Sequence, residues 1–288
     1  MSSEPKPATA AADLQASRPA ARNLFLRVIS SAVLAPIAIG IAYFGGWVFA
    51  AFWTAAAVAV WWEWTKLVHP AGHPGVLVTG VCTLIIQALL VMIHRADVAV
   101  MIAALGALAA AIISARHAIW TAAGVVYASV LIIAPVMIRG DDRSGFFAIA
   151  FVFAVVWATD IVAYFVGRAI GGPKLAPAIS PNKTWSGAIG GTIGAVAAGC
   201  GVVAPSNAPA FLQAALIAIA LSVMAQAGDL FESRMKRIFN VKDSSTLIPG
   251  HGGVMDRLDG FVTASLAALV IGVARGGWNS PAQGLLGW

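Results

Sequence analysis

The chain has 288 residues, of which 60% are hydrophobic and only 10% charged, and its formal net charge is +6. A soluble domain carries about 25% charged residues, so an ordinary soluble protein is excluded. The basic excess is assigned to loops that orient a membrane protein and meet anionic lipid, not to a nucleic-acid surface.

Residues 1–22, "MSSEPKPATAAADLQASRPAAR", are rich in Ala, Ser and Pro. They read as a disordered cytoplasmic tail. The first apolar block follows from Asn23. Because many more blocks come after it, it reads as an anchor helix and not as a cleaved signal. Stretches of about 20 apolar residues mark membrane spans. The sequence offers about nine, near 24–43, 47–64, 75–93, 97–114, 118–138, 145–167, 186–204, 209–227 and 260–275. The expected fold is therefore an all-α, polytopic integral membrane protein. Residues 23–144 would form an N-terminal group of helices, and 145–288 a catalytic region. The tight connection "YFGGW" suggests a helical hairpin. Cys82 and Cys200 lie in apolar blocks and fit neither a metal-ligand spacing nor a disulfide framework.

Charge placement supports this layout. With the N-terminus in the cytoplasm and sides alternating, only Arg95, Arg139, Arg143 and Arg275 of the 18 basic residues fall on the far side. Basic loops stay in the cytoplasm. Two cytoplasmic segments, 168–185 and 228–260, are longer than a connection requires, which points to function. In the seventh block Gly190 and Gly194 form a small-xxx-small pair, read as close helix packing in preference to a ligand contact.

The polar residues collect in those two segments. In "GDLFESRMKR", helical spacing puts Asp229, Ser233 and Lys236 on one face, and Glu232 can pair with Lys236. In "PGHGGVMDRLDG", Pro249, Gly250, Gly252 and Gly253 make a turn whose backbone can approach a ligand. Asp256 and Asp259 then follow at i, i+3. Acids suit the first turn of a helix; the same pair can hold Mg²⁺, which prefers oxygen ligands and phosphates. Arg257 would face phosphate oxygens. His251 has no second histidine near it, which argues against zinc. Asp160, inside "VVWATDIVAYFVG", would lie roughly 10 Å deep at 1.5 Å per residue, where an ionisable group is costly and usually functional. Glu63, in "WWEWTK", reads as an interfacial residue in reach of water. The segment "ISPNKTWSG" brings Ser180, Asn182, Lys183, Thr184 and Ser186 to a helix start. That is either an anion site or helix capping with an orienting lysine. It lacks the spacing of a Walker loop.

Residues 233–260, "SRMKRIFNVKDSSTLIPGHGGVMDRLDG", closely resemble the signature of the phosphatidate cytidylyltransferases, also called CDP-diacylglycerol synthases. The matching positions are Ser233, Lys236, Arg237, Lys242, Asp243, Pro249, His251, Gly252, Gly253, Asp256, Arg257 and Asp259. "DIVAYFVGRAIGGPKLAPAISPNKTWSG" also resembles the block that precedes it in that family. The likeness is strong over about 155–262 and weak over the first half.

The resemblance implies that CTP and phosphatidic acid give CDP-diacylglycerol and pyrophosphate. It also implies Mg²⁺ dependence with a paired second cation, a helical membrane fold, a homodimer and a site on the cytoplasmic side of the cell membrane. On that footing Asp229 and Asp256 are the foremost metal ligands, with Asp259 and Asp160 as further candidates. Lys183, Lys236, Arg237, Lys242 and Arg257 would bind phosphates. Ser180, Thr184 and Ser233 would add hydroxyl contacts, and Asn182, His251, Gly252 and Gly253 would contact substrate. Three rivals are a CTP-using polyprenol or phytol kinase, a transporter with a mid-membrane site at Asp160, and a simple lipid-binding polybasic segment. The long signature speaks against the first and the absence of internal symmetry against the second. In 228–260 five acids offset the basic residues, which weakens the third.

Overall fold

The computed structural model describes residues 35–140, 143–204, 211–241, 243–245, 247 and 252–287. The expectations for the tail 1–22 and for Lys242, Pro249, Gly250 and His251 lie outside these residues.

Among the described residues the chain is helical apart from one short hairpin. The helices are α1 (Ala35–Phe44), α2 (Gly46–Val68), α3 (Pro74–Met92), α4 (Ala96–Ser114), α5 (Ala118–Arg139) and α6 (Arg143–Ile170). They continue as α7 (Trp185–Val203), α8 (Phe211–Ile238), α9 (Met255–Gly276) and the short α10 (Pro281–Leu286). Six helical segments among the described residues are long and apolar enough to cross a membrane; one of them, Ala96–Arg139, contains both α4 and α5. Those two helices pack against each other and are separated by a 3-10 turn at Ala115–His117, where Ala115 has φ 49°. Exposed apolar side chains such as Ile112, Ile119, Ile193 and Leu212 coat the outside. Water would not tolerate so much apolar surface on a monomer, whereas lipid does. The protein is thus a multi-pass membrane protein.

Three expectations need correction. The segment 168–185 is not wholly loop: β1 (Lys174–Ala176) and β2 (Ser180–Thr184) form an antiparallel hairpin, with Lys174 opposite Thr184 and Ala176 opposite Ser180. Pairing satisfies backbone groups that a long bare loop would leave open. The segment 228–260 is likewise not one loop, because α8 runs on to Ile238. Its 28 residues reach about 42 Å, beyond a hydrocarbon layer of about 30 Å. The polar end of α8 is therefore a projecting helix, and α9 begins at Met255, five residues before the expected block.

With no hydrophobic drive between helices in lipid, packing rests on shape and small residues. Trp61 and Trp64 of α2 are fully buried. Trp61 lies over Gly80 of α3 and Trp64 over Gly124 of α5; a Cβ on either glycine would come within 2.2 and 2.3 Å of the indoles. Both indole N–H groups are satisfied, donating to the Leu77 carbonyl at 3.0 Å and the Trp120 carbonyl at 2.8 Å. Deeper in the core, Trp53 stacks on Phe261 at 4.6 Å between ring centroids.

Packing is also what Gly190 and Gly194 do. A Cβ on them would meet Val166 and Val162 of α6 at 2.6 and 2.5 Å. Gly191 is tighter still in kind, because a Cβ there would sit 2.7 Å from the backbone oxygen of Thr159, which cannot rotate away. Gly191→Ala is expected to cost about 1–3 kcal/mol through overpacking. A lowered midpoint of thermal unfolding in detergent checks this; an unchanged midpoint refutes it.

Candidate active site

Two glycines explain how α8 and α9 come to share a site. A Cβ at Gly228 would lie 2.2 Å from Thr263 Oγ1 and 2.5 Å from the Asp259 carbonyl, and one at Gly260 would lie 3.2 Å from the Ala225 carbonyl. Without side chains at these points the two backbones approach closely. Thr263 then donates to the Met224 carbonyl at 2.7 Å across the crossing. Asp229 follows Gly228 directly, so the approach also brings it towards Asp259.

The α8 face predicted from spacing is present. Ser233 Oγ donates to Asp229 Oδ1 at 3.3 Å, and Lys236 Nζ lies 3.3 Å from Glu232 Oε2. Lys183, carried by β2, makes an ion pair with Asp229. About two turns further along α8, Lys236 reaches Asp256 Oδ1 at 2.6 Å. The other oxygen of Asp256 accepts from Gly253 N–H at 2.8 Å, Ser244 N–H at 3.0 Å and Ser244 Oγ at 2.9 Å. Asp259 and Glu232 face each other, and Asp229 lies within electrostatic reach of both Asp259 and Asp160. Asp160 on α6 is not sealed inside the helix packing, and Asp259, Asp229, Lys183 and Arg257 are its charged surroundings. Distant parts of the chain thus bring Asp160, Lys183, Asp229, Glu232, Lys236, Asp256 and Asp259 into one charged cluster.

Other predicted residues are placed less centrally. Thr184 is the N-cap of α7, its hydroxyl accepting from Gly187 N–H at 3.1 Å and lying 3.0 Å from Ser186 Oγ. Ser186 in turn donates to the Gly171 carbonyl. The capping alternative is therefore what these two hydroxyls satisfy. Ser180 is half-buried and Asn182 exposed on β2; Arg237 and Arg257 are exposed on α8 and α9. Gly252 and Gly253 do allow close approach, but to carboxylates of the chain itself. A Cβ on Gly252, which has φ +81°, would sit 2.7 Å from Asp256 Oδ2, and one on Gly253 would sit 1.8 Å from Ser244 Oγ and 2.6 Å from Glu63.

Glu63 corrects the sequence reading. It is not in reach of water but fully buried. Its Oε1 accepts from Ser245 Oγ at 2.6 Å and Val254 N–H at 2.8 Å; its Oε2 accepts from Ser244 Oγ at 3.0 Å and Met255 N–H at 2.8 Å. Glu232 does pair with Lys236, as its spacing suggests, but it is 1% exposed and its carboxylate is buried. Tyr127 of α5, buried with an unpartnered hydroxyl, lies within electrostatic reach of Asp259, Glu232, Asp229 and Asp256. For Glu63 a signal existed: an acid between buried tryptophans in an apolar helix carries the same cost that singled out Asp160.

The cytidylyltransferase family pattern matches residues 25–273. The match extends into the first half, where the sequence alone showed only a weak likeness. A phosphatidate cytidylyltransferase of Brucella abortus biovar 1 (strain 9-941) is 42% identical over 254 residues, covering 87% of this chain and 93% of the relative. Shorter matches are found to phosphatidate cytidylyltransferases of Haemophilus influenzae and Bacillus subtilis. The first is 46% identical over 132 residues, covering 43% of this chain and 45% of the relative. The second is 45% identical over 127 residues, covering 43% and 47%.

Proposed function

The chain belongs to the cytidylyltransferase family, and we infer that it transfers the cytidylyl group of CTP to phosphatidic acid, giving CDP-diacylglycerol and pyrophosphate. It is a nucleotidyltransferase of phospholipid synthesis. The observation that supports placing the reaction at the α8–α9 cluster is the pairing of Lys183 with Asp229 and of Lys236 with Asp256 on one helix face. Both lysines offer cationic groups at one end of apolar helices, where a lipid phosphate and a triphosphate can meet.

A phosphate oxygen of the lipid attacks the α-phosphorus of CTP. A new phosphorus–oxygen bond forms, the bond to the bridging β-phosphate oxygen breaks, and pyrophosphate leaves with that electron pair. The lipid phosphate is already anionic at neutral pH, its second pKa being about 6, so no strong general base is needed. What the chain supplies is position and charge. Lys183 and Lys236 hold phosphate oxygens, and Arg237 and Arg257 extend the basic rim. Ser233 steadies Asp229, while Thr184 fixes the start of α7 and with it the β2 segment that carries Lys183.

The residues suit Mg²⁺. Among the described residues no three acidic, histidine or cysteine side chains stand in a ready-made ligating arrangement. The donors are nonetheless all carboxylates, which hard cations prefer, and Glu232 adds a buried carboxylate that is ion-paired with Lys236. Asp229, Asp256, Asp259 and Asp160 would hold the ion, with Glu232 beside them, and a second cation would suit the same acids. When bound, Mg²⁺ would neutralise charge on the attacking and leaving oxygens. The reading also includes about nine spans, the cluster on the cytoplasmic side by the positive-inside argument, and a homodimer.

The direct test supplies purified protein with labelled CTP and phosphatidic acid, with and without Mg²⁺. CDP-lipid and pyrophosphate are expected; release of CDP with a phosphorylated lipid would identify a kinase instead. For Lys183→Ala, loss of one phosphate contact should raise a substrate KM by about tenfold, equivalent to roughly 1.4 kcal/mol. Unchanged KM values for both substrates with unchanged turnover would remove Lys183 from the site.

A further inference from the structure

The strongest unexplained feature is the carboxylate of Glu63, which reaches the signature loop from 181 to 192 residues away in sequence. α9 has no side-chain cap of its own; Val254, at its N-cap position, offers none. The first amides of a helix have no partners within it. Glu63 accepts two of them, Val254 N–H and Met255 N–H, and with the same two oxygens holds the hydroxyls of Ser244 and Ser245. It is a helix cap delivered from another helix.

The carboxylate is itself firmly seated. Trp61 and Trp64 flank it on α2, both buried, over glycines of α3 and α5, and with both indole N–H groups bonded. From this rigid base the contacts run on to the chemistry. Ser244 Oγ lies 3.0 Å from Glu63 Oε2 and 2.9 Å from Asp256 Oδ2, so one hydroxyl joins the two carboxylates. Asp256 begins the helix that Glu63 caps, and its other oxygen holds Lys236.

We propose that Glu63 is a positioning residue for cytidylyl transfer: from α2 it fixes the first turn of α9 and the Ser244–Ser245 step, and through them the Asp256–Lys236 pair. The proposal rests on the reading that this pair acts on the substrates. It gives the N-terminal helices a part in the reaction beyond anchorage. Binding groups on the triphosphate are many, so a small displacement of one ion pair should weigh on turnover more than on affinity.

Glu63→Gln keeps the shape but replaces one accepting oxygen by an NH₂ group. Either orientation turns that group towards a backbone N–H and a hydroxyl that now donate. Turnover should fall about tenfold to a hundredfold, as for displacements of up to an ångström, while both KM values stay within about threefold. The experiment measures kcat and both KM values for wild type, Glu63→Gln, Ser245→Ala and Asp256→Asn, per folded protein recovered in detergent. Wild-type kcat in Glu63→Gln beside an inactive Asp256→Asn overturns the role of Glu63 alone, as does a defect confined to KM. An active Asp256→Asn overturns the site on which the proposal rests. Should Glu63→Gln not be recovered folded, Ser245→Ala decides. A kcat lowered about tenfold with unchanged KM, the lower end of what losing an outer-shell hydrogen bond costs, upholds the proposal, and wild-type kcat refutes it.

Discussion

Asp256→Asn is expected to lower turnover by about 10²–10³-fold or more, the scale of losing a preorganised charge at the reacting centre, while the protein stays folded in the membrane. The reason lies in the donors around it. Oδ1 receives the Lys236 ammonium, and Oδ2 receives Gly253 N–H together with the Ser244 N–H and hydroxyl. The ammonium and the two backbone amides can only donate, so an amide NH₂ meets an obligate donor in either orientation. It opposes the ammonium in one and two backbone amides in the other. Loss of the negative charge also frees Lys236 to move towards Glu232, its other acidic neighbour at 3.3 Å. Turnover within about threefold of wild type at saturating Mg²⁺ would exclude Asp256 from the reaction, given how large such losses usually are. The residual activity distinguishes two ways of being essential. A raised Mg²⁺ requirement marks Asp256 as a metal ligand. A raised KM for CTP with an unchanged Mg²⁺ requirement marks it as the residue that aims Lys236.

That Asp256 lies in the charged cluster was legible from local order: a glycine turn, then acids at i, i+3 at the start of an apolar block. The pairing of the Lys183 segment with the Asp229 segment was also within reach, because alternating spans put both on the basic side. The apolar blocks from residue 47 to 275 each coincide with a helix, since length and hydropathy are properties of a segment taken alone. Hydropathy by itself does not mark the end of α8. Hydropathy stops at Ala227, but a helix need not stop where lipid does, and Asp229, Glu232, Ser233 and Lys236 keep helical spacing beyond it. What the sequence could not disclose was which polar groups are dry. Glu63 and Glu232 are each followed or preceded by an ordinary lysine and look solvated. Glu63 is covered by Ser244, Ser245 and the Val254–Met255 backbone, and Glu232 faces α9, contacts set by tertiary packing and not by neighbours in the chain. Gly253 illustrates the limit well: the turn was visible, but not that its missing side chain makes room for Ser244 and Glu63.

The second large effect concerns Lys236, whose side chain is 14% exposed between Glu232 at 1% and Asp256 at 9%. Lys236→Met preserves much of the apolar stem and removes only the charged head. The acids it leaves behind are buried and lose their shared counter-charge, a change that costs about 3–5 kcal/mol when one partner of a buried pair is removed. Both stability and turnover should therefore collapse together, and turnover alone would not reveal which came first. The two are separable by chemistry. Adding Glu232→Gln to Lys236→Met takes away one of the crowded buried acids without restoring a cation. The double variant should recover part of the lost thermal midpoint, because the repulsion with Asp256 and Asp259 is relieved. It should recover no activity, because no ammonium is returned to the phosphate site. Thermal unfolding and turnover measured on all three proteins decide the matter. A Lys236→Met protein as stable as wild type would mean that the acids are not held by this lysine at all. A double variant regaining both stability and turnover would mean that Lys236 serves the fold and leaves the phosphates to Lys183 and the arginines.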